Sequence, residues 1–196
     1  MRMGVTMNRT KEDIFEAAIK VFSCNGYDRA TMEDIASNAG VSKGTLYYHF
    51  KSKEEIFKYA ILESMNFITN NMKKAINGKK DPLDRLISLY KNQVVILCEN
   101  KDFFNVIMSQ AWGHERRQKE LKKIIESYIA AIQKSLKEAM DEGIIKKGET
   151  KFLAYTFFGV LCSGAVYELV NGNENSDIDN TVESMTKYVL HGIINM

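Results

Sequence analysis

The densest chemistry in the chain lies between Thr31 and Phe50, in the run TMEDIASNAGVSKGTLYYHF. Ser42, Lys43, Thr45, Tyr47, Tyr48 and His49 bring hydroxyls, an ammonium and an imidazole into eight residues, beside the apolar Val41, Leu46 and Phe50. The three apolar groups are read as the inward side of this segment, so the polar and aromatic ones are expected to point outward. Such donors at a helix N-terminus and along one face suit phosphate oxygens and base edges. Lys51, Lys53 and Lys58 follow and, with Lys43, make a local cluster of four lysines against Glu54 and Glu55. Double-stranded DNA is the partner this set fits.

No other chemistry has a comparable set of residues. His49 sits in the motif, and His114 and His191 are remote from it, with no Ser-His-acid or metal-ligand spacing between them. A phosphate-cradling glycine loop is missing. The reading is of a non-enzyme, with no catalytic residues, no metal and no cofactor. Cys24, Cys98 and Cys162 lie far apart in apolar runs, and an odd count argues against a disulfide framework. They are expected to be reduced core thiols of a cytoplasmic protein.

The elements that position these residues are clearly punctuated. Thr10 reads as the N-cap of a first helix ending at Asn25-Gly26, with Ile14, Phe15, Ala18, Val21 and Phe22 on one face. Thr31 caps a second, short helix that Gly40 ends in a left-handed residue. Ser42 caps a third, which reaches about His49. Two short helices around Gly40-Val41-Ser42 make a helix-turn-helix. Ser52 opens a fourth helix with Glu55 completing a capping box, and Asp81-Pro82 opens a fifth. Further helices are expected over about Phe103 to Trp112, 115–141, 151–171 and 178–195. No stretch alternates at period two, so the fold class is all-α.

The span 11–58 resembles the DNA-binding domain of the tetracycline-repressor (TetR) family. The likeness rests on Ile14, Ala17, Ala18, Phe22, Gly26, Tyr27, Thr31, Ile35, Ala36, Ala39-Gly40-Val41-Ser42, Gly44, Leu46-Tyr47, His49-Phe50, Ser52-Lys53 and Glu54. It implies a three-helix, homeodomain-like unit followed by a helical ligand-binding and dimerisation domain, about nine helices in all. It also implies a homodimer released from a palindromic operator by a small-molecule effector. Carried over position by position, the DNA contacts are Thr31, Ser42, Lys43, Gly44, Thr45, Tyr47, Tyr48, His49 and Lys53. Of these, Thr31, Tyr47, His49 and Lys53 grip phosphates, and Lys43 and Thr45 read bases. The expected division is an N-terminal arm without order at 1–8, a DNA-binding domain at 9–55, and a sensing and dimerisation domain at 56–196.

The rest of the chain is read from pattern. Residues 82–170 carry more large, soft apolar groups than a plain bundle needs, and Tyr90, Phe104, Met108, Trp112, Tyr128, Phe158 and Cys162 are the candidates for lining an apolar ligand pocket. The 151–171 helix is apolar on more than one face, so one face must pack outside its own subunit. Gly159, Ser163, Val166 and Val170, with Val182, Met185 and Val189 of the last helix, are the candidate dimer contacts.

Bulk properties agree. Of the 196 residues 45% are hydrophobic and 27% charged, which is a globular balance. A net charge of +2 means that any DNA contact comes from a local cluster. No apolar run reaches the roughly 20 residues that span a bilayer, so no membrane partner is expected. The opening MRMGVTMN is too short and polar for a signal peptide, and Met3 and Met7 are alternative starts. Two other readings compete: a helical enzyme or binder with a merely structural helix-turn-helix, and a DNA-binding regulator that answers to a protein partner.

Overall fold

A computed structural model describes residues 9–111, 115–171, 180, 183–184 and 186–187. The regular elements among them are helices: α1 (Arg9–Asn25), α2 (Met32–Asn38), α3 (Lys43–His49), α4 (Lys53–Ile76), α5 (Pro82–Glu99), α6 (Lys101–Ala111), α7 (Glu115–Asp141) and α8 (Thr150–Asn171). The all-α expectation is met. Of the ninth expected helix, the five described residues between 180 and 187 are helical. The arm at 1–8, Trp112, His114, Val182, Met185, Val189 and His191 lie outside the described residues.

The chain forms two compact units. The first is residues 1–67 with 102–124, and the second is 68–101 with 125–196. Nearly all of α6 thus belongs to the same unit as the helix-turn-helix, a grouping by contact that sequence order does not suggest.

In the first unit, the α1 stripe behaves as its spacing predicts: Ile14, Ala18, Val21 and Phe22 are buried. Phe22, Tyr27 and Phe57 form a three-ring cluster with centroids 5.0–5.7 Å apart. Ile35 from α2, Leu46 from α3 and Phe50 fill the remaining core. Ser23 Oγ donates to Asp102 Oδ1 at 2.9 Å, joining α1 to the start of α6. Burying these apolar groups outweighs the weak intrinsic helicity of seven-residue α2 and α3, which are too short to hold by themselves.

Caps fix where these helices begin and end. Thr31 Oγ1 accepts from Asp34 N at 3.1 Å, while Asp34 Oδ2 accepts from Thr31 N at 2.9 Å. At the other end of α2 the Val41 N–H reaches Ala36 O and the Gly40 N–H reaches Ser37 O, at 3.0 and 3.2 Å. That double closure needs a left-handed residue, and Gly40 supplies it with φ +66°. Two caps differ from expectation. The first helix begins at Arg9, one residue before Thr10. At α4, Glu55 N donates to Ser52 Oγ as expected, but the Glu55 carboxylate reaches past Ser52 to Lys51 N at 2.7 Å. One further residue of reach satisfies the donor just outside the helix.

In the second unit, α5 packs on α8 through Tyr90 and Phe157, whose rings meet edge to face at 4.8 Å. Leu89, Val94, Leu97, Ile132, Leu136 and Ala154 complete the core. Arg85 pairs with Glu142 at 3.0 Å, and Gln133 Nε2 donates to Thr150 Oγ1 at 3.0 Å. No helix of the described residues is long and apolar enough to cross a membrane.

One expectation is corrected. Cys98 is buried and Cys162 half-buried, but Cys24 is exposed. The buried stripe of α1 runs through Ala18, Val21 and Phe22, and position 24 turns away from it.

Candidate nucleic-acid interface

α3 is held from beneath and capped from one end. Leu46 is fully buried and anchors it, and the Ser42 side chain closes its first turn by accepting from Thr45 N at 3.0 Å. The same Ser42 oxygen lies 2.9 Å from Thr45 Oγ1. Two hydroxyls are therefore locked together at the helix start. On the outer side Tyr48 is 78% exposed and Tyr47 42%. The His49 ring stands edge to face with Tyr48 at 5.1 Å.

Gly44 lies in the first turn of α3. A Cβ there would meet only Ser42 Oγ, at an ordinary 3.7 Å. Nothing inside the protein requires glycine at this exposed position, and glycine costs a helix about 1 kcal/mol relative to alanine. Its bare backbone leaves room for something outside the protein to approach.

The lysine cluster is arranged differently from a free basic patch. Lys43 Nζ pairs with Glu33 at 2.8 Å. That hydrogen bond, reinforced by charge, raises the Lys43 pKa and lowers that of Glu33. Lys58 pairs with Glu54 at 3.3 Å, and Lys51 Nζ donates to Tyr47 O at 2.9 Å. Lys53 donates to three carbonyls, those of Tyr27, Asp28 and Ala30, at 2.7, 3.1 and 2.7 Å. Its Nζ also sits 4.6 Å from the Tyr27 ring centroid. Lys53 thus gathers the α1–α2 connection onto the start of α4. Thr31 is exposed but engaged, donating its hydroxyl to Asp34 Oδ2 at 2.7 Å. This bond and the one from the Thr31 backbone hold the Asp34 carboxyl below its ordinary pKa.

The ligand-pocket candidates fall in both units. Phe104 and Met108 are on α6 of the first unit, Phe104 half-buried and Met108 exposed. Tyr90, Tyr128, Phe158 and Cys162 are in the second, where Tyr128 meets Phe158, Cys162 and Gln93 while Tyr90 packs on Phe157. Tyr128 donates its hydroxyl to Gln93 Oε1. The Tyr128 and Phe158 rings stand 5.8 Å apart, and the Cys162 thiol adds to the electrostatic surroundings of Tyr128. Burial pushes the Cys162 thiol up to about 11, so it is neutral at physiological pH and a poor nucleophile. Gln93 was not among the expected residues. A glutamine inside an apolar helical stripe was its only sequence signal.

Along α8, Gly159, Ser163, Val166 and Val170 are all exposed, together with Phe152, Tyr155 and Tyr167. At 3.6 residues per turn these seven occupy one third of the circumference.

Comparison with known proteins agrees with this geometry. Residues 14–60 match the family of bacterial regulatory proteins described as tetR family, and residues 61–192 match the C-terminal region of YsiA-like proteins. The fatty acid metabolism regulator protein of Bacillus subtilis is 26% identical over 185 residues, covering 93% of this chain and 94% of that one. A solved candidate fatty acid metabolism regulator of Clostridium perfringens is 41% identical with a TM-score of 0.85, covering 94% of this chain and all of the other. FadR from Bacillus subtilis, solved in complex with stearoyl-CoA, shares the fold at a TM-score of 0.80 and 23% identity, over 92% of this chain and 98% of that one. With an outward-facing α3 in a helix-turn-helix and both family matches along its length, the chain belongs to the TetR family and is a DNA-binding transcriptional regulator.

Proposed function

We propose that the protein is a cytoplasmic, homodimeric repressor that leaves a palindromic operator when a long-chain acyl compound binds its helical sensing region. The observation that carries the DNA reading is α3: a helix buried only at Leu46, with exposed Tyr47 and Tyr48 and a bare Gly44 at its N-terminal turn. Residues 9–55 make the DNA contacts and 56–196 sense and dimerise. Lys43 and Thr45 read bases, while Ser42, Gly44, Tyr47, Tyr48 and His49 contact the backbone. Thr31 and Lys53 act chiefly by setting the position of α2 and α4, since their polar groups already hold the protein's own atoms.

The acyl class is supported by relatives named as fatty acid metabolism regulators and by the stearoyl-CoA bound to FadR. The apolar Tyr90–Phe157 and Tyr128–Phe158 pairs suit such a ligand. α4 is continuous from Lys53 to Ile76, so a shift at its far end reaches the start of the DNA-binding face. Two α3 helices reading successive major grooves need a spacing of roughly 34–36 Å, and a changed spacing releases the operator.

Selection of bound sequences from random DNA tests the first half, with a palindrome as the expected product. Adding stearoyl-CoA to the recovered complex tests the second. By linkage, release by acyl-CoA requires that operator weaken acyl-CoA binding by the same factor, typically about 5–150-fold. Equal acyl-CoA affinity with and without operator removes the acyl-CoA effector.

A further inference from the structure

Besides Asn92 Oδ1, the second unit buries two polar atoms that have no protein partner among the described residues: Tyr90 Oη and Gln93 Nε2. Their residues are 0% and 3% exposed, and they stand three apart on α5, hence on one face. With Tyr128 donating to Gln93 Oε1, Nε2 is the amide atom left without a partner. The arrangement leaves an N–H donor and a phenol hydroxyl three residues apart on one face of α5, with the Phe157 ring against Tyr90 and the Phe158 ring against Tyr128. An unmade hydrogen bond at a buried group is destabilising, so both groups favour an oxygen acceptor.

We infer that Tyr90 and Gln93, the latter oriented by Tyr128, form the polar contact point of the effector site and select a neutral carbonyl oxygen on an otherwise apolar ligand. The inference rests on the proposed sensing role and adds the functional group that is recognised. Neutrality follows from the surroundings. The buried polar residues described are Ser64, Gln93 and Thr186, and no lysine, arginine or histidine is among them. Among the described residues no buried cation is present to pair with a carboxylate placed here, and an unpaired buried carboxylate is far costlier than a carbonyl that accepts two hydrogen bonds. The acceptor is therefore an ester, thioester or ketone oxygen. The anionic part of any natural ligand lies elsewhere.

The test uses the full chain and three probes: S-hexadecanoyl-N-acetylcysteamine, the matched S-hexadecyl thioether lacking the carbonyl, and hexadecanoate. Calorimetry on the wild type is expected to show the thioester about tenfold tighter than the thioether, equivalent to about 1.4 kcal/mol, and tighter than hexadecanoate. Tyr90→Phe and Gln93→Leu should each bring the thioester-to-thioether ratio towards one. Tyr90→Phe without ligand should melt no lower than wild type, because its hydroxyl holds no structural partner. Equal affinities in the wild type, failure of both thioester and thioether to bind, tightest binding of hexadecanoate, a ratio that survives both substitutions, or a lower melting temperature for Tyr90→Phe would each overturn the inference. Operator binding by the unliganded wild type is measured in parallel. Its failure counts against the regulator reading and leaves the probe ratio to judge the contact point.

Discussion

Lys43, in the first turn of α3, has its ammonium 2.8 Å from the carboxylate of Glu33 on α2. In the proposed base-reading role of Lys43, DNA competes with this internal anion for the lysine. The pair is solvent-exposed, with side chains 65% and 53% accessible, so water and salt screen it and the competition is weak. Glu33→Gln is expected to tighten operator binding about two- to fivefold at low salt without changing base preference. Lys43→Ala should change preference at one base pair, by about 1–3 kcal/mol. Titration against a panel of single-base operator variants separates the two. Weaker binding by Glu33→Gln would show that the pair instead holds Lys43 in its reading position.

Lys53 is predicted to behave as a fold residue. Removing it strands the carbonyls of Tyr27, Asp28 and Ala30 and frees the α1–α2 connection. Lys53→Ala should cost about 1–3 kcal/mol in a denaturant melt, in keeping with loss of hydrogen bonds to a charged donor. Lys53→Arg should not restore it, because a planar guanidinium cannot point at three converging carbonyls as an ammonium does. Unchanged stability in Lys53→Ala, with a salt slope of operator binding reduced by about 1, would make Lys53 a phosphate contact instead.

Gly44→Ala should uncouple stability from binding. Alanine fits the free protein, since its Cβ meets only Ser42 Oγ at 3.7 Å. It should stabilise α3 by about 0.5–1 kcal/mol. Operator affinity should fall, because the methyl stands where the DNA backbone approaches. A variant that melts higher and binds as well as wild type would show that the glycine has no role at the interface.

The DNA-binding unit was legible from sequence because local chemistry decides it. Caps at Thr31 and Ser42 and the stop at Gly40 are made by atoms three to five residues apart. What escaped was set by tertiary contact. The Lys43–Glu33 pair joins two helices across ten positions, and Lys53 reaches back more than twenty to Tyr27 and Ala30. The lysines that read from sequence as a local cluster for DNA are each engaged within the protein. Gln93 escaped for a similar reason. Its significance depends on Tyr128, thirty-five positions away. Cys24 read as core because its neighbours are apolar, whereas only the angle around α1 sets its exposure.

Alkaline pH should destabilise the protein before most surface groups matter. Burial raises the Cys162 pKa from 9.0 to about 11 and, with help from Glu63, that of Tyr59 from 10.0 to about 12. Between the unfolded and folded values the folded chain holds more protons, so stability falls as pH rises. From these two groups the melting temperature should be flat below about pH 9 and decline from there to about pH 12. Cys162→Ala should move the onset of the decline up by about one pH unit, towards the ordinary value for Tyr59. A decline that starts well below pH 9, or one unaltered in Cys162→Ala, would place its cause elsewhere.

The exposed face of α8 gives the last prediction. Phe152, Tyr155, Val166, Tyr167 and Val170 are 43–73% accessible in the single chain, and Gly159 and Ser163 lie between them on the same third of the helix. A contiguous apolar stripe of this kind marks an interaction surface rather than scattered exposure. A second copy of α8 presents the same stripe, and the small residues at its centre let the two helix axes approach closely, so a two-fold contact is self-complementary. Val166→Glu with Val170→Glu would put four carboxylates into that contact without touching the buried face that holds Ala154 and Phe157. Light scattering is expected to show a monomer, with the helical content and melting of the DNA-binding unit retained. Operator affinity should drop by about 10²–10⁴, because the second half-site then binds without the effective concentration that the tether supplied. Binding to an isolated half-site should stay as in the wild type. A variant that remains dimeric would move the interface off α8, and one that is monomeric yet binds the full operator with wild-type affinity would overturn paired recognition itself.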